Sequence, residues 1–413
     1  MTSLSDLFAQ ADVRAAQRLH NVADARRVAR RRLPGVVFDY VDGAADDEVT
    51  MRRNEAAFSE VAFTPRMAAG KIEPHLGVSV LGTAVDFPVL LAPCGLVRLL
   101  HPDGAPGAAR AAASRRTLSV LSTVAGTPLE TVVAEAGATP WYQLYSAGGL
   151  DEAQSLCDRA ASAGVEVLVV TVDTPTLGNR ERDVRNGVAP PLRIDAHNAI
   201  PLGMQVLVRP RWAAQLAATG IKLSRRGAGP QGHGGGMLSS VSSPFSWDDV
   251  AHLRKRWHGP FVVKGVLTEG DARRAVESGA DAVIVSNHGG RQLDGAPASL
   301  HALPGVVAAV GRDVEVLVDG GVRRGAHVVL ALALGARAVL IGRPYLYGLA
   351  AAGERGVERI LDILRAEMRR TMILMGCDSV DKLGPEWLEP TSAVGAGLTW
   401  RRPSSRPVSD RRT

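Results

Sequence analysis

From residue 86 onward the chain repeats one pattern of polarity: a short apolar, β-branched run, a glycine-rich or polar turn, then a segment with apolar positions at helical spacing. Alternation of this kind is the sequence form of strand and helix units assembled into a parallel sheet. The runs are FPVLLAP from Phe87, LSVLST from Leu118, WYQLYS from Trp141, VEVLVVTVD from Val165, FVVKGV from Phe261, AVIVSNHG from Ala282, VEVLVDGG from Val314 and AVLIGRP from Ala338. Eight strands are the number that closes a (β/α)8 TIM barrel, a fold of typically ~250 residues. The intervening segments carry helix signals: Ser246 precedes WDDVAHLRKRW as a cap, and TEGDARRAVESG runs from a Thr268 cap to a stop at Gly279. A doubly wound open sheet is the rival fold. It would need several more parallel strands, and no GxGxxG follows the first one.

Three segments lie outside the alternation. Residues 1–85 read as a helical lead-in followed by a short β-rich approach, with 1–32 an N-terminal extension and 33–392 the α/β barrel domain. Residues 190–245 interrupt the fourth unit with Pro, Gly and Ser, including GPQGHGGGMLSSVSSP; a loop this long is a lid, a binding loop or a mobile segment. Within it, QVLVRPRWAAQLAATGIKLSRR has the pattern of a basic amphipathic helix, for which packing on the barrel is favoured over peripheral contact with a membrane. The basic tail 393–413 reads as disordered.

Charge changes the picture modestly. Lys and Arg number 48 against 42 Asp and Glu, a formal +6 concentrated partly in arginine-rich ends, which suits an acidic substrate. With 5 Tyr, 7 Phe and 6 Trp there is little base-stacking surface, so nucleic acid is not an expected partner. Cys94, Cys157 and Cys377 lie far apart and in no CxxC pair, which suggests neither a disulfide framework nor a metal cage. The sequence shows no signal peptide and no run of the ~18 apolar residues a spanning helix needs, and a cytoplasmic protein is expected.

Barrel active sites form where strands end at their C-terminal face, so polar residues at the ends of the runs are the candidates. Gln143 and Tyr145 end the third run, Thr171 and Asp173 the fourth, Ser286, Asn287 and His288 the sixth, Asp319 the seventh, Gly342 and Arg343 the eighth, and Lys264 lies in the fifth. One inward polar group in an apolar strand is usually a satisfied structural residue, but six strands ending so are hard to explain structurally. DGGVRRG and IGRP add exposed backbone N–H groups, Arg323 and Arg343 where barrels often hold a phosphate. A histidine becomes an effective base when a carboxylate such as Asp173 stabilises its protonated form. Arg291 suits a substrate carboxylate as a bidentate clamp, and Lys264 can face negative charge on a cofactor.

SNHGGRQLDG at 286–295, TVDTPTLGNRERD at 171–183, FVVKGV around Lys264, DGGVRRG at 319–325 and LIGRP at 340–344 closely resemble the FMN-dependent 2-hydroxy acid oxidase and dehydrogenase family. That family includes glycolate and lactate oxidases, mandelate dehydrogenase and hydroxymandelate oxidase, and the resemblance runs from about Leu33 to Gly376. It implies FMN as cofactor and oxidation of an L-2-hydroxy acid to the 2-oxo acid, with oxygen or another acceptor taking the electrons. It also implies a homo-oligomer, often a tetramer. It makes His288 the base, Asp173 its ion-pair partner, and Tyr145, Arg291 and Lys264 further catalytic residues. Tyr40, in VFDYVDGAADDE, and Arg180 join Arg291 and Tyr145 around the substrate. Around the flavin it places Pro93, Cys94, Gly95, Ser122, Gln143, Thr171, Lys264 and Ser286. Asp319, Gly320, Gly321, Arg323, Gly342 and Arg343 match ribityl and phosphate contacts. Whether a hydride or a carbanion route operates stays open.

The chain departs from the pattern at two positions. The small oxidases commonly carry Trp where LSTV has Val124, and many relatives carry Ala where APCGL has Gly95. Both changes widen the pocket and point to a substrate bulkier than glycolate, aryl or long-chain. The YLYGLAA segment at 345–351 is also similar to the flavoprotein that matures the redox peptide mycofactocin, so a specialised substrate such as a modified peptide is an alternative. A non-redox FMN-binding barrel is a further one.

Overall fold

The computed structural model describes residues 4–146, 148–187, 203–218 and 244–391. All eight runs form strands: β1 (Val89–Leu91), β2 (Val120–Ser122), β3 (Trp141–Leu144), β4 (Leu168–Thr171), β5 (Phe261–Val266), β6 (Ala282–Val285), β7 (Glu315–Asp319) and β8 (Ala338–Ile341). They pair in parallel in the order β1-β8-β7-β6-β5-β4-β3-β2. The ring is completed by a single parallel bridge, Leu91 to Ser119, with the Leu91 N–H donating to Leu118 O at 2.9 Å. The fold is a (β/α)8 TIM barrel.

Strand alternation explains how the barrel carries its site. Side chains alternate between faces, so residues two apart share a side. Leu90, Val120, Trp141, Val169, Val262, Ile284, Leu317 and Leu340 form one apolar cluster inside the barrel. Neighbours such as Leu91, Leu121, Tyr142, Val170, Val263, Val285, Val318 and Ile341 belong to the separate shell beneath the helices. Two residues beyond each inner apolar residue stand Ala92, Ser122, Gln143, Thr171, Lys264, Ser286, Asp319 and Gly342. The apolar plug thus ends in a polar layer at the C-terminal rim, where TIM barrels build active sites. A hairpin of Val78–Val80 and Thr83–Val85 contributes Val80 and Val85 to the inner cluster.

The lead-in is helical, as expected: α1 (Leu4–Gln17), α2 (Val22–Arg32), α3 (Gly35–Asp42) and α4 (Val49–Ala56). Strand Val61–Phe63 then pairs antiparallel with Leu388–Pro390 near the other end of the described chain. The capped helices also form: Ser246 and Asp249 make a reciprocal capping box on Trp247–Arg256, and Thr268 caps Glu269–Glu277. After β8 a helix runs Arg343–Met375 with a kink at Ala352 and Gly353, where Asp103 accepts the Glu354 N–H at 2.7 Å.

Of the long segment after β4, residues 188–202 and 219–243 lie outside the described residues, as does the tail from 392; the expectations of a mobile loop and a disordered tail fall there. Helix Pro210–Ala218 is described and packs on the body. Trp212 is buried and donates to Leu99 O at 2.8 Å, and Arg209 donates to Leu33 O at 3.1 Å. Met204, Leu207 and Val208 before it are exposed. No described helix is long and apolar enough to cross a membrane.

Candidate active site

At the C-terminal rim lies an open cleft. Its wall includes the candidates from β1 and β2 (Pro93, Cys94, Gly95, Ser122, Val124) and Tyr145 beyond β3. Arg180, Lys264, His288, Arg291 and Tyr40 also line it, as do Asp319, Gly320, Gly321, Arg323, Gly342 and Arg343. Gln143, Thr171, Asp173 and Ser286 are not on the wall but sit directly behind it. Gln143 accepts from Ser122 at 2.7 Å, Thr171 is paired in register with Lys264, and Ser286 accepts from Lys264 at 2.8 Å. Every candidate residue is therefore drawn into one site.

His288 is its centre. The backbone there is left-handed at φ 59°, a conformation that costs a non-glycine residue energy and is found where surrounding structure enforces it. The enforcing group is Asn287, which accepts the Gly290 N–H at 3.2 Å and exchanges two 2.8 Å hydrogen bonds with Asn54 on α4. His288 Nδ1 lies 3.0 Å from Asp173 Oδ1, and Nε2 lies 3.1 Å from the Tyr145 hydroxyl. An ionised Asp173 accepts from Nδ1–H, which leaves the Nε2 lone pair as the basic position. Burial holds the His288 pKa below its usual value, against the attraction of Asp173, and the Lys264 and Arg180 charges push the same way. Asp173 is held below the usual carboxylate range because His288 and Lys264 outweigh its burial. The resting pair is thus a neutral imidazole beside a carboxylate. Burial raises Tyr145 well above a normal phenol, so it keeps its proton.

Lys264, 4% exposed, stays charged: burial opposes this, but Asp319 at 3.0 Å and Asp173 outweigh it. Three guanidiniums on the wall have no ion pair among the described residues. Arg180 has its Nε buried without a partner, and burial together with Arg291 lowers its pKa to about 10. Burial likewise lowers Arg343 to about 10. Arg291 differs from a free bidentate clamp, because its Nη1 is already donated to Tyr40 O at 2.8 Å and Gly43 O at 2.9 Å. Only its other edge is open to a ligand. Arg343 gives three donors to Val41 O, Gly289 O and Gly43 O, and Arg323 pairs with Glu55 at 2.8 Å. Cationic groups without carboxylate partners make the cleft a site for anions.

A flavin mononucleotide fits these residues. Gln143 Nε2, Thr171 Oγ1 and Asp319 Oδ1 are buried at the rim without partners, each costing about 1–3 kcal/mol unless a ligand supplies one. Gly321, at φ 77°, passes so close to α4 that a Cβ would stand 1.9 Å from Asn54 O, so only glycine fits at this end of the cleft wall, where a phosphate is expected. The substrate end is apolar: Val124 and Tyr145 pack with Leu177. A Cβ on Gly95 would stand 2.9 Å from the Tyr40 hydroxyl and 3.1 Å from Val124.

Sequence reasoning missed several participants. Leu177 sits inside TVDTPTLGNRERD, and Gln292, inside SNHGGRQLDG, donates to Asp173 O at 3.0 Å. Their motifs were in view, but no local pattern marks either residue. Asn54 carries no such signal either.

A family model described as FMN-dependent dehydrogenase matches residues 29–390. A putative L-lactate dehydrogenase of Mycobacterium tuberculosis is 40% identical over 377 residues, 91% of this chain and 90% of that one. A pre-mycofactocin synthase of the same species is 41% identical over 382 residues, 90% and 95% of the two chains. Among solved structures, the monotopic membrane protein (S)-mandelate dehydrogenase superposes with a TM-score of 0.83 at 36% identity, covering 91% of this chain and all of that one.

Proposed function

The chain belongs to the FMN-dependent dehydrogenase family, and from that premise we propose that it oxidises an L-2-hydroxy acid with a bulky apolar side chain to the 2-oxo acid. The observation that carries the reading is the pairing of His288 Nδ1 with Asp173 Oδ1 at 3.0 Å on a cleft wall shared with Arg180 and Arg291, which have no carboxylate partner among the described residues. A base beside two cations is what abstraction of a proton from an anionic hydroxy acid requires.

Bound FMN supplies a two-electron acceptor. The free edge of Arg291 and the Arg180 guanidinium hold the carboxylate, which orients Cα. His288 Nε2 takes one proton: from the hydroxyl if Cα–H leaves as hydride, or from Cα in a carbanion route. In both, Asp173 compensates the imidazolium at Nδ1. The Tyr145 hydroxyl, 3.1 Å from His288 Nε2, would donate to the substrate oxygen, and Lys264 would hold positive charge toward the cofactor. Gln143, Thr171 and Ser286 would meet the ring edges, and Arg323, Arg343 and Gly320–Gly321 the phosphate. Val124, Gly95 and Leu177 support a wide apolar side-chain pocket.

The test is anaerobic titration of the yellow protein with L- and D-2-hydroxy acids of increasing size, followed by air. Bleaching by L-acids, strongest for aryl or long-chain ones, is expected. Rapid recovery in air marks oxygen as acceptor, and slow recovery another acceptor. Failure of every acid to bleach a bound flavin that dithionite still reduces would sink this reading. The likeness to pre-mycofactocin synthase supports a second reading, with a specialised donor such as a modified peptide, which that failure would favour. We further propose a cytoplasmic protein, supported by the packing of Trp212 on the body, and a homotetramer, which rests on the family resemblance alone; fractionation and light scattering test the two.

A further inference from the structure

We propose that Asp42, which is not on the cleft wall, is a positioning residue that sets the geometry of the site's arginines through the end of its helix. The inference rests on the proposed roles of Arg291 and Arg343. Asp42 is the last residue of α3 and is 2% exposed. A carboxylate there is unfavourable for the helix itself, because the C-terminal end of the macrodipole is negative. It is held instead by donors from three other parts of the chain. Arg26 of α2 grips both oxygens at 2.5 and 2.8 Å, Arg182 reaches Oδ2 at 3.0 Å, and the Tyr347 hydroxyl, after β8, donates to Oδ1 at 2.7 Å. Burial works against the charge, yet these partners pull the Asp42 pKa down to about 2.

What the hub holds still is a set of carbonyls. α3 is two turns long, and no basic side chain of its own occupies its last turn. Its terminal carbonyls are therefore left for other donors. Tyr40 O and Gly43 O take the Nη1 of Arg291, while Val41 O and Gly43 O take two donors of Arg343. Which edge of each guanidinium faces the cleft thus depends on where residues 40–43 lie. Arg182 extends the device, since it also binds Glu48 at 2.5 Å and stands two residues from Arg180 on the cleft wall.

The test compares wild type, Asp42→Ala and the milder Tyr347→Phe, which removes one donor and nothing from the cleft. FMN and riboflavin are titrated into the apoprotein, and oxalate, an unreactive dianion, into the FMN-loaded protein. Expected for Asp42→Ala are FMN binding weakened about tenfold, riboflavin binding changed less than about twofold, and oxalate binding weakened about tenfold. Tyr347→Phe follows the same order with smaller factors. In an Arg291→Lys background, Asp42→Ala costs markedly less oxalate affinity than in wild type, because the Arg291 route has already been cut and only the one through Arg182 and Arg180 remains. Equal loss of FMN and riboflavin, no loss of either, or oxalate effects that simply add would overturn the proposal. If oxalate does not bind wild type, the substrate reading fails, and the FMN and riboflavin pair still decides the role of Asp42.

Discussion

Replacing Asp173 by Asn tests the core of the chemistry. Asn keeps an acceptor for His288 Nδ1–H at the 3.0 Å position but removes the charge that compensates the imidazolium. Unit charges ~4 Å apart attract by about 4 kcal/mol at an effective dielectric near 20, and the amide dipole restores part of that. The net loss of about 2–3 kcal/mol corresponds to about two pKa units. Burial, Lys264 and Arg180 already depress the histidine, so the change drives it further down. The working form is neutral, and a lower pKa extends that form to more acidic pH. The ascending limb of the reduction rate therefore moves to lower pH while the plateau falls, by about 10²–10⁴-fold for a weakened general base. Stopped-flow reduction across the pH range measures both. A limb that stays or moves upward, with the plateau intact, would refute the assignment of base and partner. FMN affinity serves as the control and should not change.

Three further outcomes follow from the geometry. Gly95→Ala places a methyl 2.9 Å from the Tyr40 hydroxyl and 3.1 Å from Val124, so KM for an aryl hydroxy acid should rise about tenfold while that for glycolate changes less; equal changes would contradict the proposed pocket wall. Gly321→Ala drives a Cβ to 1.9 Å from Asn54 O at a positive φ, and should cost about 1–3 kcal/mol or more together with retention of FMN on dialysis; unchanged melting and full flavin content would show the contact to be soft. His101 lies between Asp12 and Asp103, whose hydrogen bonds outweigh its burial and raise its pKa. Its contribution to stability is complete below the unfolded pKa of about 6.5 and fades as pH rises through the folded value, so His101→Gln should flatten the decline of urea midpoints toward alkaline pH. An identical slope in both proteins would exclude the cluster.

The barrel and the inward residues of its rim were legible because both depend on local alternation. An apolar inner residue such as Val262 announces that Lys264 points the same way, whatever the rest of the chain does. Asp42, Arg182 and Asn54 were not legible, since their partners lie 140, 134 and 233 residues away and only tertiary packing brings them together. The arginine-rich start read as simple excess charge, whereas Arg26 and Arg32 reach buried Asp42 and Asp12. Arg291 was identified as a residue of the site, but two of its five N–H donors serve the backbone at the end of a distant helix, a division of labour that sequence spacing does not encode.

The ring of strands is not equally knitted all round. Neighbouring strands elsewhere share ladders of three or four register pairs, but β1 and β2 meet through one bridge. Directly above that seam stand Gly95 and Val124, the two positions proposed to set pocket width. Their loops are stitched to each other, Leu96 N–H to Val124 O at 2.9 Å and Val97 N–H to Ala125 O at 3.1 Å, rather than to a ladder. The second loop is also tied to β3, Thr123 N–H to Gln143 O at 3.0 Å, so its movement is anchored on that side. The proposed girth of the substrate pocket is thus governed at the joint with the fewest strand pairs. Because Pro93, Cys94, Gly95 and Ser122 of the same seam belong to the expected flavin cradle, a chain that changed that girth would have to keep those contacts while it did so, with the His288 dyad standing apart beyond β4 and β6.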